Sequence, residues 1–170
     1  LLWASMAIGS AIGYYLSVTV AMIQMPQMVA LLNGLGGGSS AIVSLLSLVN
    51  ATYSLSRIDR FTAGLGIVVG AVTLSGSLIA AAKLDRKMTS RPIVFKGQSL
   101  INTVTLIAMG ALTIALIMTA ESFIGALAII VLILALLFGV IFTIRVGGAD
   151  MPVTISLLNS FSGIAGAVSG

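Results

Sequence analysis

Two asparagines, Asn33 and Asn159, stand inside long apolar stretches, each seven residues after a proline. A primary amide left unpaired in lipid costs several kcal/mol, so each must meet a partner or water. Asn33 heads a line with Gly37, Ser40, Ser44 and Ser47, spaced four, three, four and three, which places all five on one helix face. Gly66, Gly70, Thr73 and Ser77 repeat the device. Asn159, Gly163, Gly166 and Gly170, flanked by Ser156 and Ser162, repeat it again. Such side chains orient water and exchange hydrogen bonds, and none of them titrates near neutrality. Three stripes meeting around one axis would make a hydrated path through a bilayer. Read as packing alone, the same stripes let helices approach closely, with hydroxyls bonded to backbone.

Few charged groups accompany them. Asp150 follows Gly147 and Gly148 at the start of an apolar run, where a carboxylate either caps a helix or guards the inner end of a proton path. Arg145 reads as a membrane-surface anchor or as an ion-pair partner for Asp150, while Glu121 reads as an outer turn residue and Asn50 as a helix-end residue. The sequence holds no cysteine and no histidine, which removes thiolate and imidazole nucleophiles and the commonest metal ligands. No metal site or bound cofactor is assigned to this stretch. Gly36, Gly38 and Ala41 satisfy G-x-G-x-x-A with Asp59 at a ribose-binding distance, but no strand precedes them and the nucleotide reading is set aside.

The elements that must position these residues follow from composition. Of 170 residues, 59% are hydrophobic and 7% charged, with a mean hydropathy of +1.22, too little charge to clothe a water-facing surface. Soluble enzymes are excluded, and nucleic acid is excluded as a partner because the basic residues behind the +4 net charge sit in short gaps between apolar runs. Lipid is the surrounding medium. Six stretches of about twenty apolar residues, near 2–23, 26–50, 62–82, 99–119, 122–144 and 151–170, predict an all-α polytopic transmembrane bundle forming a single domain. The almost purely aliphatic fifth span is expected to face lipid or fill the periphery.

Lys83, Arg86, Lys87, Arg91 and Lys96 between the third and fourth spans predict a cytoplasmic loop. Threading from it puts Arg57, Arg60 and Glu121 outside, and Gln24, Arg145 and Asp150 inside. Six basic residues then lie inside against two outside. Met25-Pro26 with Leu31-Leu32-Asn33 and Gly37 recurs as Met151-Pro152 with Leu157-Leu158-Asn159 and Gly163, 126 positions later. Both copies run the same way across the membrane, as in a parallel repeat. Because Leu1 begins in mid-span, the chain reads as a piece of a longer subunit and not as starting with a signal peptide.

Residues 25–37, residues 70–77 and the segment Gly-Gly-Ala-Asp-Met-Pro-Val-Thr-Ile-Ser-Leu-Leu-Asn-Ser-Phe-Ser-Gly together resemble the beta subunit of proton-translocating NAD(P) transhydrogenase. The likeness runs from about residue 2 to 170 and covers part of that subunit's membrane domain, without its first spans, last span or soluble NADP(H)-binding domain. It implies a complex in which hydride passes between NAD(H) and NADP(H) on soluble domains while a proton crosses the membrane domain. By this resemblance Asn33 stands where many bacterial members carry a histidine, Asn159 matches an asparagine of the facing helix, Ser77 is a polar channel position and Asp150 an acid near the NADP(H) domain. An amide cannot titrate, so relay at Asn33 would need water, Asp150 or a companion-subunit histidine.

The expectation is therefore a proton path along Asn33, Asn159, Ser77, Thr73, Ser40 and Ser44, coupled through Asp150 and Arg145 to the NADP(H) domain. The implied partners are the alpha subunit, the NADP(H)-binding domain and a second copy of the complex, in a bacterial inner membrane. Two alternatives rest on the residues alone. The parallel repeat suits half of a secondary solute transporter, and stripes that only pack would make the helices a passive scaffold.

Overall fold

A computed structural model describes residues 1–50 and 55–169, so Gly170, placed above in the sixth-span stripe, lies outside the described residues. The chain is helical: α1 (Leu2–Thr19), α2 (Met25–Val49), α3 (Arg57–Leu84), α4 (Gln98–Met118), α5 (Glu121–Ile144) and α6 (Met151–Ser169), with no strand among the described residues. Five of these helices, α2 to α6, are long and apolar enough to cross a membrane, which makes this a multi-pass membrane protein. α1 lies where a first span is expected but is not one of the five. It is the shortest, at 18 residues, and Ser5, Ser10, Tyr14, Tyr15 and Ser17 dilute its apolar content.

Local chemistry explains the helix ends. α2 and α6 start alike, each entered through a short 3-10 turn, Met22–Gln24 and Gly148–Asp150, with a proline as second residue, where no intrahelical N–H partner is needed. The sequence repeat is thus a repeat of local structure. α3 starts five residues earlier than its apolar run because Ser56 and Asp59 form a capping box. The Ser56 hydroxyl accepts from the Asp59 N–H at 3.1 Å and the Asp59 carboxylate accepts from the Ser56 N–H at 3.0 Å. Arg57 and Arg60, expected in a loop, therefore ride on the first turn. At its other end, Arg86 takes a left-handed φ of 58°, the Arg86 N–H donates to the Lys83 carbonyl at 3.2 Å and the Lys87 N–H to the Ala82 carbonyl at 3.0 Å. That is a Schellman ending with arginine in the position glycine usually takes.

α3 is the hub, touching α2, α4, α5 and α6. Small residues set how closely it is approached. A Cβ built on Gly70 would lie 2.5 Å from the Gly37 carbonyl oxygen, and one on Gly37 would lie 2.7 Å from the Thr73 Cβ, so α2 and α3 cross with their backbones in contact. On the other side Ile124, Ala128, Val131, Ala135, Gly139 and Thr143 form one buried line of α5. A Cβ on Gly139 would come within 2.6 Å of the Val72 carbonyl oxygen. The expectation for the fifth span therefore holds for one face only. Ile129, Ile130 and Ile133 stay about half exposed, while the opposite face is a second tight seam against α3.

The loops segregate to two ends. At one, the Arg60 guanidinium donates to the Thr119 carbonyl at 2.6 Å and lies 3.5 Å from the Glu121 carboxylate, joining the start of α3 to the α4–α5 turn. At the other, the loop after α3 meets the segment between α5 and α6, through the Gly148 N–H to the Ser90 carbonyl at 2.7 Å and the Ile93 N–H to the Ile144 carbonyl at 3.2 Å. This grouping agrees with the threading deduced from charge. α1 buries no residue.

Candidate functional site

Asn33 sits on the buried face of α2, in the line Ala30, Asn33, Gly34, Gly37, Ala41 and Ser44. Its neighbour Gly34 lets α3 come near: a Cβ there would be 3.0 Å from the Ser77 Cβ. At that separation the Asn33 amide nitrogen donates to the Ser77 hydroxyl at 3.1 Å. From α6, the Ser162 hydroxyl donates to the Asn33 side-chain carbonyl at 2.6 Å and lies 3.3 Å from the Asn33 backbone carbonyl. One amide thereby joins three helices. Asn33 is 9% exposed and Ser77 fully buried, so the cluster is shielded on the α2–α3 side.

The other predicted residues divide. Thr73 is fully buried, but its hydroxyl donates back to the Val69 carbonyl at 2.7 Å and its methyl meets Gly37, so it works in the helix crossing and not in the cluster. Ser44 is buried and its hydroxyl has no hydrogen-bond partner among the described residues. Ser40 is half-buried, and Ser47 is exposed, with its hydroxyl bonded to the Ser44 carbonyl. The second-span stripe thus contributes its Asn33, Gly37 and Ser44 positions to the interior.

Asn159 departs from expectation. α6 turns Met151, Thr154, Ile155, Leu158 and Ala165 into the bundle, and Asn159, about 100° further round than Leu158, is exposed with no side-chain hydrogen bond among the described residues. Gly163 and Gly166 share that outward face, where an added Cβ would meet nothing within 4 Å. Two stripes converge, not three. The third helix reaches the cluster through Ser162, which the sequence marks only as a flank of the stripe. Its signal is a hydroxyl four residues beyond the inward-facing Leu158. The repeat therefore pairs Asn33 and Asn159 in local structure but not in environment.

Asp150 and Arg145 are both exposed at the end of the bundle that carries the α3–α4 loop, and they form no ion pair with each other. The Asp150 carboxylate accepts no N–H from α6, so the capping role is not realised; its backbone carbonyl accepts from the Thr154 hydroxyl at 3.4 Å and its backbone N–H donates to the Gly147 carbonyl at 3.0 Å. Gly36, Gly38 and Ala41 lie within the unbroken helix α2, where Gly38 packs on Leu74. Sequence reasoning also missed Lys83, read there as a loop charge and here fully buried.

Chemically, the cluster is a directional hydrogen-bond chain: the Ser162 O–H points to the Asn33 carbonyl, and the Asn33 N–H to the Ser77 oxygen. The Ser77 proton and the Ser162 lone pairs are left for further partners. No member can accept a proton at neutral pH, so the cluster can orient hydrogen-bonded partners but holds no titrating group.

The family profile described as NAD(P) transhydrogenase beta subunit matches residues 1–170. The chain belongs to that family. Two Rhodospirillum rubrum proteins named NAD(P) transhydrogenase subunit beta are each 38% identical to it over 173 residues, covering 98% of this chain and 37% of the relative. The chain thus spans little more than a third of the length of the curated relatives it matches. The transhydrogenase resemblance of the polar segments is accordingly a matter of descent, and the solute-transporter reading finds no support in these matches.

Proposed function

We propose that this chain is the proton-conducting membrane part of an NAD(P) transhydrogenase. It couples proton movement across the bilayer to hydride transfer between NAD(H) and NADP(H), which bind soluble domains outside this chain. The observation that carries the reading is the Asn33 amide bonded to Ser77 and Ser162 across three apolar helices. A buried amide with donors and acceptors to spare is worth its desolvation where water must be organised. Ser44, whose buried hydroxyl has no partner among the described residues, and half-buried Ser40 continue the polar line from Asn33 along α2. Thr73 serves the path by holding α2 and α3 together. Asn159 presents its amide to a neighbouring helix of the complete complex.

In this reading α1 is a sixth span completed by packing against the rest of the complex, and the loop from Lys83 to Lys96 faces the cytoplasm of a bacterial inner membrane. Exposed Asp150 and Arg145 then meet the NADP(H)-binding domain, the alpha subunit supplies the NAD(H) side, and the complex is a dimer. The test is proton uptake into liposomes holding the complete complex, driven by NADPH and an oxidised NAD analogue. Asn33→Leu and Asn159→Leu are each expected to lower uncoupler-sensitive uptake by about tenfold or more, as loss of a positioned polar group does. Uptake at the parent rate in both variants would remove the channel assignment.

A further inference from the structure

The best-buried cation in the described chain has no acid beside it. Lys83, in the last turn of α3, is 1% exposed. Its ammonium donates to the Ile144 carbonyl at 2.5 Å, the Val146 carbonyl at 2.8 Å and the Arg91 carbonyl at 3.4 Å. An ammonium has three N–H donors, and here three backbone carbonyls take them. One belongs to Ile144, the last residue of α5, whose carbonyl end and dipole favour a cation, and one to Val146, two residues further on in the segment leading to α6. The third belongs to the α3–α4 loop. The ion pairs among the described residues, Arg60 with Glu121 and Lys87 with Asp85, do not include it.

Lys83 therefore ties three pieces of chain at one point: the end of α3, the loop at Arg91, and the hinge between α5 and α6. The same junction is laced by the Gly148 N–H to the Ser90 carbonyl, and a Cβ on Gly148 would lie 3.0 Å from the Ser90 Cβ. The hinge ends at Asp150, and α6 starts at the next residue. Ser162 lies eleven residues along α6, about 16 Å from its base, so the placement of the hinge sets whether Ser162 reaches Asn33.

We propose that Lys83 is a positioning residue for the α5–α6 hinge, holding α6 in the register that brings Ser162 to Asn33 and keeping the α3–α5–α6 junction closed to water. The inference deepens the proton-path reading and rests on it for its functional half. The structural half stands alone. Stability does not decide the matter, because replacing a buried ion by an apolar residue of similar shape is often neutral. Accessibility does.

The experiment uses the complete complex, cleared of other cysteines, with Thr143→Cys as reporter. Thr143 is fully buried in the last turn of α5, beside Gly76 and Leu158. In vesicles exposing the α3–α4 loop, a membrane-impermeant maleimide is expected to label this cysteine about tenfold faster when Lys83→Met is added, and near the parent rate with Lys83→Arg. If Lys83→Met fails to assemble, Lys83→Gln takes its place with the same expectation. Labelling unchanged within about twofold overturns the clamp. In the same preparations, protons moved per hydride transferred are expected to fall severalfold in Lys83→Met and to recover in Lys83→Arg. Faster labelling at the parent proton-to-hydride ratio overturns the link from hinge to path. A parent complex showing neither hydride transfer nor proton uptake refutes the transhydrogenase reading itself, while the labelling still judges the clamp.

Discussion

Adding one methyl group at Gly70 should damage both packing and the polar cluster. The new Cβ would lie 2.5 Å from the Gly37 carbonyl oxygen and 2.8 Å from the Ala41 nitrogen, both backbone atoms of α2 that no rotamer change can move. Ordinary contact begins near 3.5 Å, so the helices must part by about 1 Å at the crossing. Carried along the pair, that displacement stretches the Asn33–Ser77 bond from 3.1 Å to about 4 Å, outside hydrogen-bond range. Overpacking costs about 1–3 kcal/mol and the lost intramembrane bond about 0.6 kcal/mol. Against this, alanine gains up to about 1 kcal/mol over glycine in helix propensity, so a net loss of about 1–3 kcal/mol remains. Gly36, one residue from the seam, has nothing within 4 Å of an added Cβ and provides the control. Unfolding by SDS titration in mixed micelles, followed by ellipticity, should therefore rank Gly70→Ala well below the parent and Gly36→Ala at or above it. Equal stability of the two variants would refute the claim that the backbones touch.

Substitutions at four further positions probe other features. Arg86→Gly relieves a left-handed residue and should raise the thermal midpoint of the purified protein by about 0.5–1 kcal/mol of stability, with Arg86→Val lowering it; the reverse order would contradict the Schellman ending. Thr143→Val removes a buried hydroxyl that has no partner among the described residues, so the same titration should show a neutral or favourable change, and a loss above about 1 kcal/mol would mean the hydroxyl is satisfied by water. Glu121 is 67% exposed, so Glu121→Gln should change stability by less than about 0.5 kcal/mol. Arg60→Leu, which also forfeits the bond to the Thr119 carbonyl, should lose about 1–2 kcal/mol in the same titration.

Length and apolarity made five crossing helices legible from the sequence, and Met25-Pro26 and Met151-Pro152 marked two helix starts within a residue. The charges misled at α3. Arg57, Asp59 and Arg60 look like a loop until the Ser56–Asp59 spacing is read as a capping box, a local signal present in the sequence. Asn33, Ser77 and Gly37 were legible as interior because helical spacing fixes which residues share a face. Which face of α6 turns inward was not, because a membrane helix with small residues on one side and Met151, Ile155 and Leu158 on another offers two plausible interfaces. Lipid exerts no hydrophobic preference between them. The choice is made by tertiary fit, and it put Ser162 inside and Asn159 outside. Lys83 was illegible for a similar reason, since its partners are backbone carbonyls, which no side-chain pattern announces.

The amide that bridges Ser77 and Ser162 can be satisfied in two ways. Turned over about its last side-chain torsion, Asn33 would offer its carbonyl to Ser77 and its N–H to Ser162. Each hydroxyl can reverse its own role, and the Ser162 proton has the Asn33 backbone carbonyl within 3.3 Å to receive it. The two settings have matching numbers of hydrogen bonds and opposite polarity. Passing between them exchanges both hydrogen bonds of the amide and changes no charge. A group without charge can thus reverse the direction in which hydrogen bonds run between α6 and α3.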